Sequence, residues 1–159
     1  MLGEISGVYR KSGGNTGASS SVNYRTIPQG YVDLGLPSGT LWKNANEGGD
    51  ATFYNYDETV SRFGNKLPTK HQLEELKNKC TWTWTGNGYK VTGPNGNSIT
   101  LPAAGYRDYH GNVVMGTYGY YWSSTLDYGL VCCLSLGSNR VGMGSRVRDF
   151  GLSVRLVQN

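Results

Sequence analysis

The stretch LDYGLVCCLSLGSNRVGMGSRVRDF, residues 126–150, carries the strand pattern on which the expected fold depends. Apolar residues occupy alternate positions on either side of the pair Ser138 and Asn139: Leu134, Leu136, Val141 and Met143. Successive side chains of a strand point to opposite faces, so the pattern predicts two strands joined by a turn, with these apolar residues inward. The residues between them are then expected to point outward, and they are Cys133, Ser135, Gly137, Arg140, Gly142 and Gly144.

A short helix is predicted to begin after Thr69. Thr69 can cap the first turn, and Gln72 stands three residues later, as a capping box requires. Leu73, Leu76 and Cys80 then share one face of the helix, so we expect an amphipathic helix that lies on a sheet. Cys80 is expected to be a core residue rather than a nucleophile.

A hairpin is predicted around the tight turn at Asn95 and Gly96. Apolar residues alternate on both sides of this turn: Tyr89 and Val91 before it, Ile99 and Leu101 after it. Trp82 and Trp84 precede the hairpin and would share one face of a strand. We expect both rings to serve in core or inter-sheet packing.

The chain of 159 residues is long enough for one domain with its own core. The segment SGGNTGASSS, residues 12–21, buries almost no apolar surface and is typical of a linker. Short β-prone pieces begin at Tyr31. The sequence therefore predicts a flexible arm over residues 1–30 and a folded domain over residues 31–159.

The composition favours a loop-rich fold, because the chain holds 24 glycines and 12 tyrosines and only one convincing helix. The alternation of Leu152, Val154 and Leu156 predicts a closing strand. We expect residues 31–34 to pair with this closing strand, around residues 152–157, which would bring residues 126–150 together on one face.

Several function classes are disfavoured. The net charge is +4, but lysines and arginines are scattered, so no nucleic-acid partner is expected. No apolar stretch is long enough to cross a membrane, and residues 1–30 lack the apolar core of a signal peptide. Export would use another route, or a leader has been removed. Cys80, Cys132 and Cys133 imply neither a disulfide framework nor a zinc site, so no metal or cofactor is expected.

Catalysis also finds little support in the sequence. His71 lies in the first turn of the predicted helix, and His110 lies in the loop YRDYHGN, neither beside a nucleophile motif. Asp108 and His110 could form a general-base pair, although a polar loop tip of this composition is far more often a turn. Glu74 and its neighbour Glu75 are expected to be solvated on the helix. We therefore do not expect an enzyme.

Five ordered segments resemble a paralogous domain of Bacteroides and Fibrobacter proteins: YVDLGLPSGTLW, LPTKHQLEELKNKCTWTWT, GYKVTGPNGNSITLPAAGYR, GYYWSST and GLSVRLV. That family is similar to the formylglycine-generating-enzyme type of C-type lectin fold. The resemblance covers nearly everything from Tyr31 onward. It implies an α+β C-type lectin-like fold of small twisted antiparallel sheets, one or two short helices and many loops.

A subset of that family, often carried by phages and mobile elements of gut bacteria, serves as the variable protein of diversity-generating retroelements. There a reverse transcriptase copies an adenine-rich template with errors, so that AAC codons become NNC codons, which exclude Lys, Glu, Gln, Trp and Met. Residues 126–150 contain none of the first four, and their only methionine, Met143, stands at an inward position.

The resemblance implies two sets of residues in and beside this segment. The diversified, ligand-binding set is Asp127, Tyr128, Gly129, Leu130, Cys133, Ser135, Gly137, Arg140, Gly142, Gly144, Ser145, Arg146, Val147, Asp149 and Phe150. The constant set that would support the surface is Trp122, Leu134, Leu136, Val141, Met143 and Arg148. Calcium-lectin motifs and the reactive cysteine pair of formylglycine-generating enzymes do not occur, so neither activity is carried over.

The expected function is therefore a ligand-binding receptor or adhesin module with a hypervariable surface. Tyr128 and Phe150 would serve as aromatic anchors, and Arg140 and Arg146 as charged contacts. The expected partner is a protein or glycan on a cell surface, met by a phage tail fibre or a bacterial surface adhesin, with no insertion into a membrane. Two alternatives stay open: an invariant adhesin or fibre subunit of the same family, which could assemble through residues 1–30, and an enzyme that depends on His110 or Asp108.

Overall fold

The computed structural model describes residues 9–12 and 23–159 of the chain. Most of the flexible arm predicted for residues 1–30 lies outside the described residues. Within them, the strand Tyr9–Ser12 (β1) pairs antiparallel with Asn23–Thr26 (β2). Ile27 is fully buried, so the packing of the domain begins before the predicted boundary at Tyr31.

The described residues form a mixed α+β structure, which confirms the predicted class at that level. The helices are Tyr56–Phe63 (α1) and Lys70–Lys79 (α2), separated by a 3-10 turn, Gly64–Lys66. The remaining strands are Tyr31–Asp33 (β3), Leu41–Lys43 (β4), Thr81–Trp84 (β5), Gly88–Thr92 (β6), Ser98–Pro102 (β7), Tyr106–Arg107 (β8), Val113–Val114 (β9), Gly119–Asp127 (β10), Leu130–Gly137 (β11), Arg140–Arg146 (β12) and Val157–Gln158 (β13).

Both helices begin with a capping box. In α2 the Thr69 hydroxyl accepts from the backbone N–H of Gln72 at 3.1 Å, and the Gln72 side chain accepts from the N–H of Thr69 at 2.9 Å, as predicted. Helix α1 is not among the predicted elements. It uses Asn55 and Glu58 in the same way, so its start is stabilised by the same local chemistry.

The predicted central hairpin is confirmed as β6 and β7 in a sheet of order β5–β6–β7. Gly96 adopts a φ of +91° in the connecting turn, a conformation that favours glycine. Trp82 and Trp84 meet the ring of Tyr89 edge-on, at centroid distances of 5.5 and 5.0 Å. The expected packing role of both tryptophans is thereby confirmed. The alternating apolar residues of the hairpin are all buried: Tyr89, Val91, Ile99 and Leu101.

The predicted pairing of residues 31–34 with the closing strand is wrong. Strand β4 lies between them, in a sheet of order β13–β4–β3. A short loop folds β3 onto β4, and Leu41 and the fully buried Trp42 give β4 the central position. The two expected partners therefore occupy the opposite edges of one small sheet.

The closing segment differs from a simple alternating strand. Residues 151–153 form isolated bridges to other segments, and the last strand begins only at Val157. Ser153 and Arg155 are as buried as their apolar neighbours, so both faces of the segment are covered. The Arg155 guanidinium is satisfied there, because it donates to Asn46 Oδ1 at 2.9 Å and to the Thr100 carbonyl at 2.7 Å.

The sheet β10–β11–β12 separates two hydrophobic clusters. The first contains the inward faces of α2 and of the central hairpin, with Tyr121, Leu134 and Leu136 from the sheet, and Cys80 packs against it as predicted. The second contains Trp122, Val131 and Cys133 from the sheet, covered by α1 and the closing segment. Strand β11 is consequently buried on both faces.

Candidate functional site

The two strands predicted within residues 126–150 are confirmed as β11 and β12, joined by a turn at Ser138 and Asn139. The predicted inward residues share one face, since Leu134 is opposite Met143 and Leu136 is opposite Val141. Both leucines are buried, and both β12 residues are half-buried against the first cluster. The local pattern therefore gives the register of the hairpin correctly.

The expected outward exposure of Cys133 and Ser135 is wrong. Cys133 has no exposed surface, and Ser135 is only 7% exposed. Cys133 lies opposite Trp122 in the sheet and packs in the second cluster with Leu152 and Val154. Its face of β11 is covered by residues distant in sequence, which the alternation within residues 126–150 does not reveal. Burial raises the pKa of the Cys133 thiol to about 11.

Beyond this covered part, the same face of the sheet is open. We call it the glycine face, defined by Tyr120, Gly137, Arg140, Gly142, Gly144 and Arg146, which the strand registers place on one side. A methyl group added at Gly142 would meet no atom within 4 Å. One added at Gly144 would meet only the end of the Arg146 side chain, at 4.0 Å. The floor of this face is thus open to a ligand.

A surface depression of about 380 Å³ lies at the end of the glycine face near the β11–β12 turn. Tyr118 and Tyr120 line it on the β10 side, and Asn139 and Arg140 line it on the turn side. The Tyr89 hydroxyl donates a hydrogen bond to the Gly137 carbonyl beneath it, which connects the turn to the β5–β6–β7 sheet. The depression therefore rests on two packed sheets.

An aromatic ridge borders the glycine face and shares Tyr120 with it. We define the ridge as Tyr106, Tyr109, Tyr118, Tyr120 and Phe150, whose neighbouring ring centroids lie 5.3 to 6.3 Å apart. Tyr109 is its most exposed member, at 60%. The four tyrosines are not among the predicted site residues, although a tyrosine-rich run from Tyr106 to Tyr121 stands in the sequence.

Phe150 is only half-buried and stacks on Tyr106 at 5.8 Å, so it belongs to the ridge rather than standing alone as an anchor. Tyr128 lies elsewhere, at the tip of the β10–β11 turn, where it is fully exposed with a φ of +49°. The rest of this tip is Asp127, Gly129 and Leu130, and the Asp127 carboxylate accepts from the Ser145 hydroxyl at 3.3 Å.

The predicted ligand-binding set therefore divides between two ends of one sheet. The tip at Tyr128 and the turn at Asn139 lie at opposite ends of β11, about 25 Å apart at roughly 3.4 Å per residue. Val147 and Asp149 are exposed in the turn that follows β12, beside the tip. A small ligand can contact one end only.

The two predicted charged contacts differ in their surroundings. Arg140 is exposed, and the guanidinium of Arg146 lies over the Tyr120 ring at 4.3 Å. Within the described part of the chain, neither arginine forms an ion pair with a carboxylate. Both positive charges are therefore available to an anionic group.

Two members of the predicted supporting set hold the surface from below or beside it. Trp122 is fully buried, and its indole N–H donates to the Tyr54 carbonyl at 2.7 Å. Arg148 lies 3.3 Å from the Asp57 carboxylate, and its carbonyl accepts from the N–H of Tyr56 at 3.0 Å. The start of α1 is thus attached to the turn that follows β12.

The loop that contains His110 forms a turn. The Asp108 carboxylate accepts from the backbone N–H groups of His110 and Asn112, both at 2.9 Å. These hydrogen bonds, that of Asn112 foremost, lower the pKa of Asp108. The His110 ring is exposed beside the Tyr109 ring, with 4.1 Å between centroids. The Asp108 carboxylate therefore serves as the hydrogen-bond acceptor that closes this turn.

No group of three or more His, Cys, Asp and Glu side chains that could hold a metal ion occurs among residues 9–12 and 23–159. The helices described in the same ranges are too short and too polar for any of them to span a membrane. No model of a known protein family matches the chain, and neither the curated proteins nor the solved structures give a match.

Proposed function

We propose that the chain is a ligand-binding module of the C-type lectin-like class, which binds through the glycine face, the aromatic ridge and the tip at Tyr128. The observation that carries the proposal is the open floor at Gly142 and Gly144, between arginines and a cluster of aromatic rings. The occurrence of β3 and the last strand in one small sheet with β4 supports the lectin-like class.

A rigid support under a shallow surface favours binding over a structural role. Strand β11 is packed on both sides, and Trp122 fixes β10 through its hydrogen bond to Tyr54. A surface held in this way loses little conformational entropy when a ligand binds. Side chains on the open face can then change without loss of the core.

The chemistry of the surface suits polar ligands with flat or apolar parts. Tyrosine and arginine dominate the energetics of many binding surfaces, because they combine large contact area with hydrogen bonding. Here the ridge supplies tyrosine rings and the glycine face supplies Arg140 and Arg146. The expected ligands are proteins or glycans on a cell surface, met by a phage tail fibre or a bacterial adhesin.

We further propose that the open members of residues 126–150 are diversified by a retroelement, as the family resemblance implies. The exposure of Arg140, Val147 and Asp149 supports this reading, since exposed positions without a positive φ accept many different side chains. Cys133 and Ser135 are the exceptions, because their burial restricts what can replace them. We expect variants of this protein to carry small residues at both positions.

The encoding locus tests the diversification. We expect codons that end in C at the open positions, an adenine-rich near-copy of the segment and a neighbouring reverse-transcriptase gene. Mixed third bases together with no template copy would make this a fixed member of the family.

Binding is tested with an array of purified bacterial surface proteins and glycans, probed with the labelled chain. The strongest binder is then titrated with the double variant Tyr128→Ala and Arg140→Ala, for which we expect at least a tenfold weaker Kd. Lys66→Ala is the matched control, since it removes an exposed positive charge that belongs neither to the glycine face nor to the aromatic ridge or the tip. The proposal fails if no array member binds the wild type more strongly than the double variant.

A further inference from the structure

Strand β12 is an edge strand, because the sheet has the order β10–β11–β12. A two-residue turn joins β11 and β12. The residues that flank such a turn, here Gly137 and Arg140, exchange hydrogen bonds through their backbone N–H and C=O groups. Bonded and non-bonded pairs alternate along an antiparallel ladder. The backbone N–H and C=O groups of Val141, Met143 and Ser145 therefore point away from β11.

One hydrogen bond supports this assignment. The carbonyl of Ser145 accepts from the Arg146 guanidinium at 2.8 Å, as is expected of a carbonyl that is not bonded to β11. Within the described residues, no other hydrogen bond from outside the sheet reaches the backbone of Val141, Met143 or Ser145. Apart from the Ser145 carbonyl, the backbone donors and acceptors of these three residues thus lie unpaired along the edge.

The edge lacks the usual features that prevent strand addition. Strand β12 contains no proline, its register with β11 shows no bulge, and no strand or helix of the described chain pairs with its outer edge. Its charges stand only at the two ends, Arg140 and Arg146, both on the glycine face and about 20 Å apart. An added strand would therefore meet the exposed charge of Arg140 at one end. At the other end, the Arg146 guanidinium lies over the Tyr120 ring and reaches such a strand by turning away from that ring.

We propose that β12 binds an extended acidic segment of a partner protein, which adds as an antiparallel fourth strand. With the fourth residue of a heptapeptide opposite Met143, its first and seventh residues face Arg146 and Arg140. Its third and fifth residues lie over Gly144 and Gly142, where the open floor accepts large side chains. Carboxylates at both ends and aromatic residues between them complement this edge.

A second copy of the chain fits the edge less well. Two copies could pair antiparallel through Val141, Met143 and Ser145 of each, with Met143 of one copy opposite Met143 of the other. Arg140 of one copy would then lie opposite Arg146 of the other. Like charges directly opposite each other destabilise a strand pair. The charge pattern therefore favours an acidic partner over self-association.

This inference rests on the proposed function and names the chemical class of its ligand. The probe is a heptapeptide with blocked termini, glutamate at positions one and seven, tyrosine at three and five, valine at four and threonine at two and six. Fluorescence anisotropy measures its Kd. We expect this peptide to bind at least tenfold more tightly than its counterpart with lysine at both ends.

Two comparisons separate strand addition from simple charge attraction. N-methylation of the peptide at position four removes the N–H that would donate to the Met143 carbonyl, and we expect at least tenfold weaker binding. The double variant Arg140→Glu and Arg146→Glu is expected to prefer the lysine peptide, whereas Lys66→Glu with Lys79→Glu keeps the original preference. Circular dichroism checks that both variants are folded.

Equal binding of the glutamate and lysine peptides, or of the methylated and unmethylated peptides, would overturn the inference. A concentration-dependent dimer that excludes the peptide in analytical ultracentrifugation would also overturn it, with a second copy as the occupant. If the peptide fails while the array ligand still depends on Tyr128 and Arg140, this inference falls and the proposed function stands.

Discussion

The guanidinium of Arg146 lies over the ring of Tyr120, with 4.3 Å between its central carbon and the ring centroid. The same group donates to the carbonyl of Ser145 at 2.8 Å. This contact joins the edge strand β12 to β10 across the floor at Gly144. It therefore fixes a positive charge in the middle of the candidate surface.

We expect Arg146→Ala to lower the free energy of unfolding by about 0.5 to 1 kcal/mol, the usual contribution of an accessible cation–π contact. The free energy of unfolding of Arg146→Lys should lie between those of the wild type and of Arg146→Ala, because an ammonium group lacks the planar donor fork of the guanidinium. Urea denaturation measures both. Arg140→Ala is the control, since the exposed Arg140 has no such ring beneath it, and an equal loss in the control would contradict the assigned contact.

Cys133→Ser is expected to destabilise the fold by about 1 to 3 kcal/mol, because it places a hydroxyl in the apolar second cluster. Cys133→Ala removes the same sulfur without adding a polar group, so its cost should be smaller. Thermal and urea denaturation give both values. A serine variant as stable as the wild type would show that this side chain is not packed against Trp122.

Replacement of two glycines by alanine is expected to change the free energy of unfolding in opposite directions. Gly142→Ala should raise the free energy of unfolding by up to about 0.5 to 1 kcal/mol, because alanine loses less backbone entropy and meets no neighbour. Gly93→Ala should lower it by about 1 to 3 kcal/mol, since the added carbon would lie 2.0 Å from the Leu34 carbonyl oxygen. Destabilisation of both variants to the same extent would mean that the floor at Gly142 is covered.

The contribution of Asp108 to the stability of the fold is expected to depend on pH. Hydrogen bonds, above all from the N–H of Asn112, lower its pKa in the folded chain below the ordinary value of 3.8. The folded state therefore favours the ionised carboxylate, and the stabilisation is present above pH 3.8 and lost as the pH falls through the lowered pKa. The stability difference between the wild type and Asp108→Ala should be constant near neutral pH and shrink in acid.

This comparison is measured as urea denaturation at a series of pH values. Asp149→Ala serves as the control, because Asp149 is an exposed aspartate in another turn. A difference between wild type and Asp108→Ala that grows as the pH falls would contradict the assigned turn.

Local chemistry made part of the fold predictable. The helix after Thr69, the hairpin around Gly96 and the register of β11 with β12 each depend on residues close in sequence. Helix α1 had only the short signal of Asn55 and Glu58, without a long apolar stripe, and it was missed. Caps and turns act over a few residues, so they are found from the sequence where an apolar pattern accompanies them, as it does after Thr69.

Long-range packing accounts for what could not be predicted. Whether Cys133 is exposed depends on the closing segment, which covers it from a distant part of the chain. The pairing of β4 with β13 and the contacts of Tyr106 with Phe150 likewise join separate segments. A pattern of alternation gives the two faces of a strand, but it does not say which of them another segment covers.

The two ends of β11 are far enough apart to change their ligand contacts independently. The tip at Tyr128 and the depression at Arg140 share a strand but no side-chain contact, at a distance comparable to the width of a protein–protein interface. Each end can therefore be altered while the other keeps its ligand contacts. Such a module behaves as two half-sites on one frame, and new combinations arise by changing one half at a time.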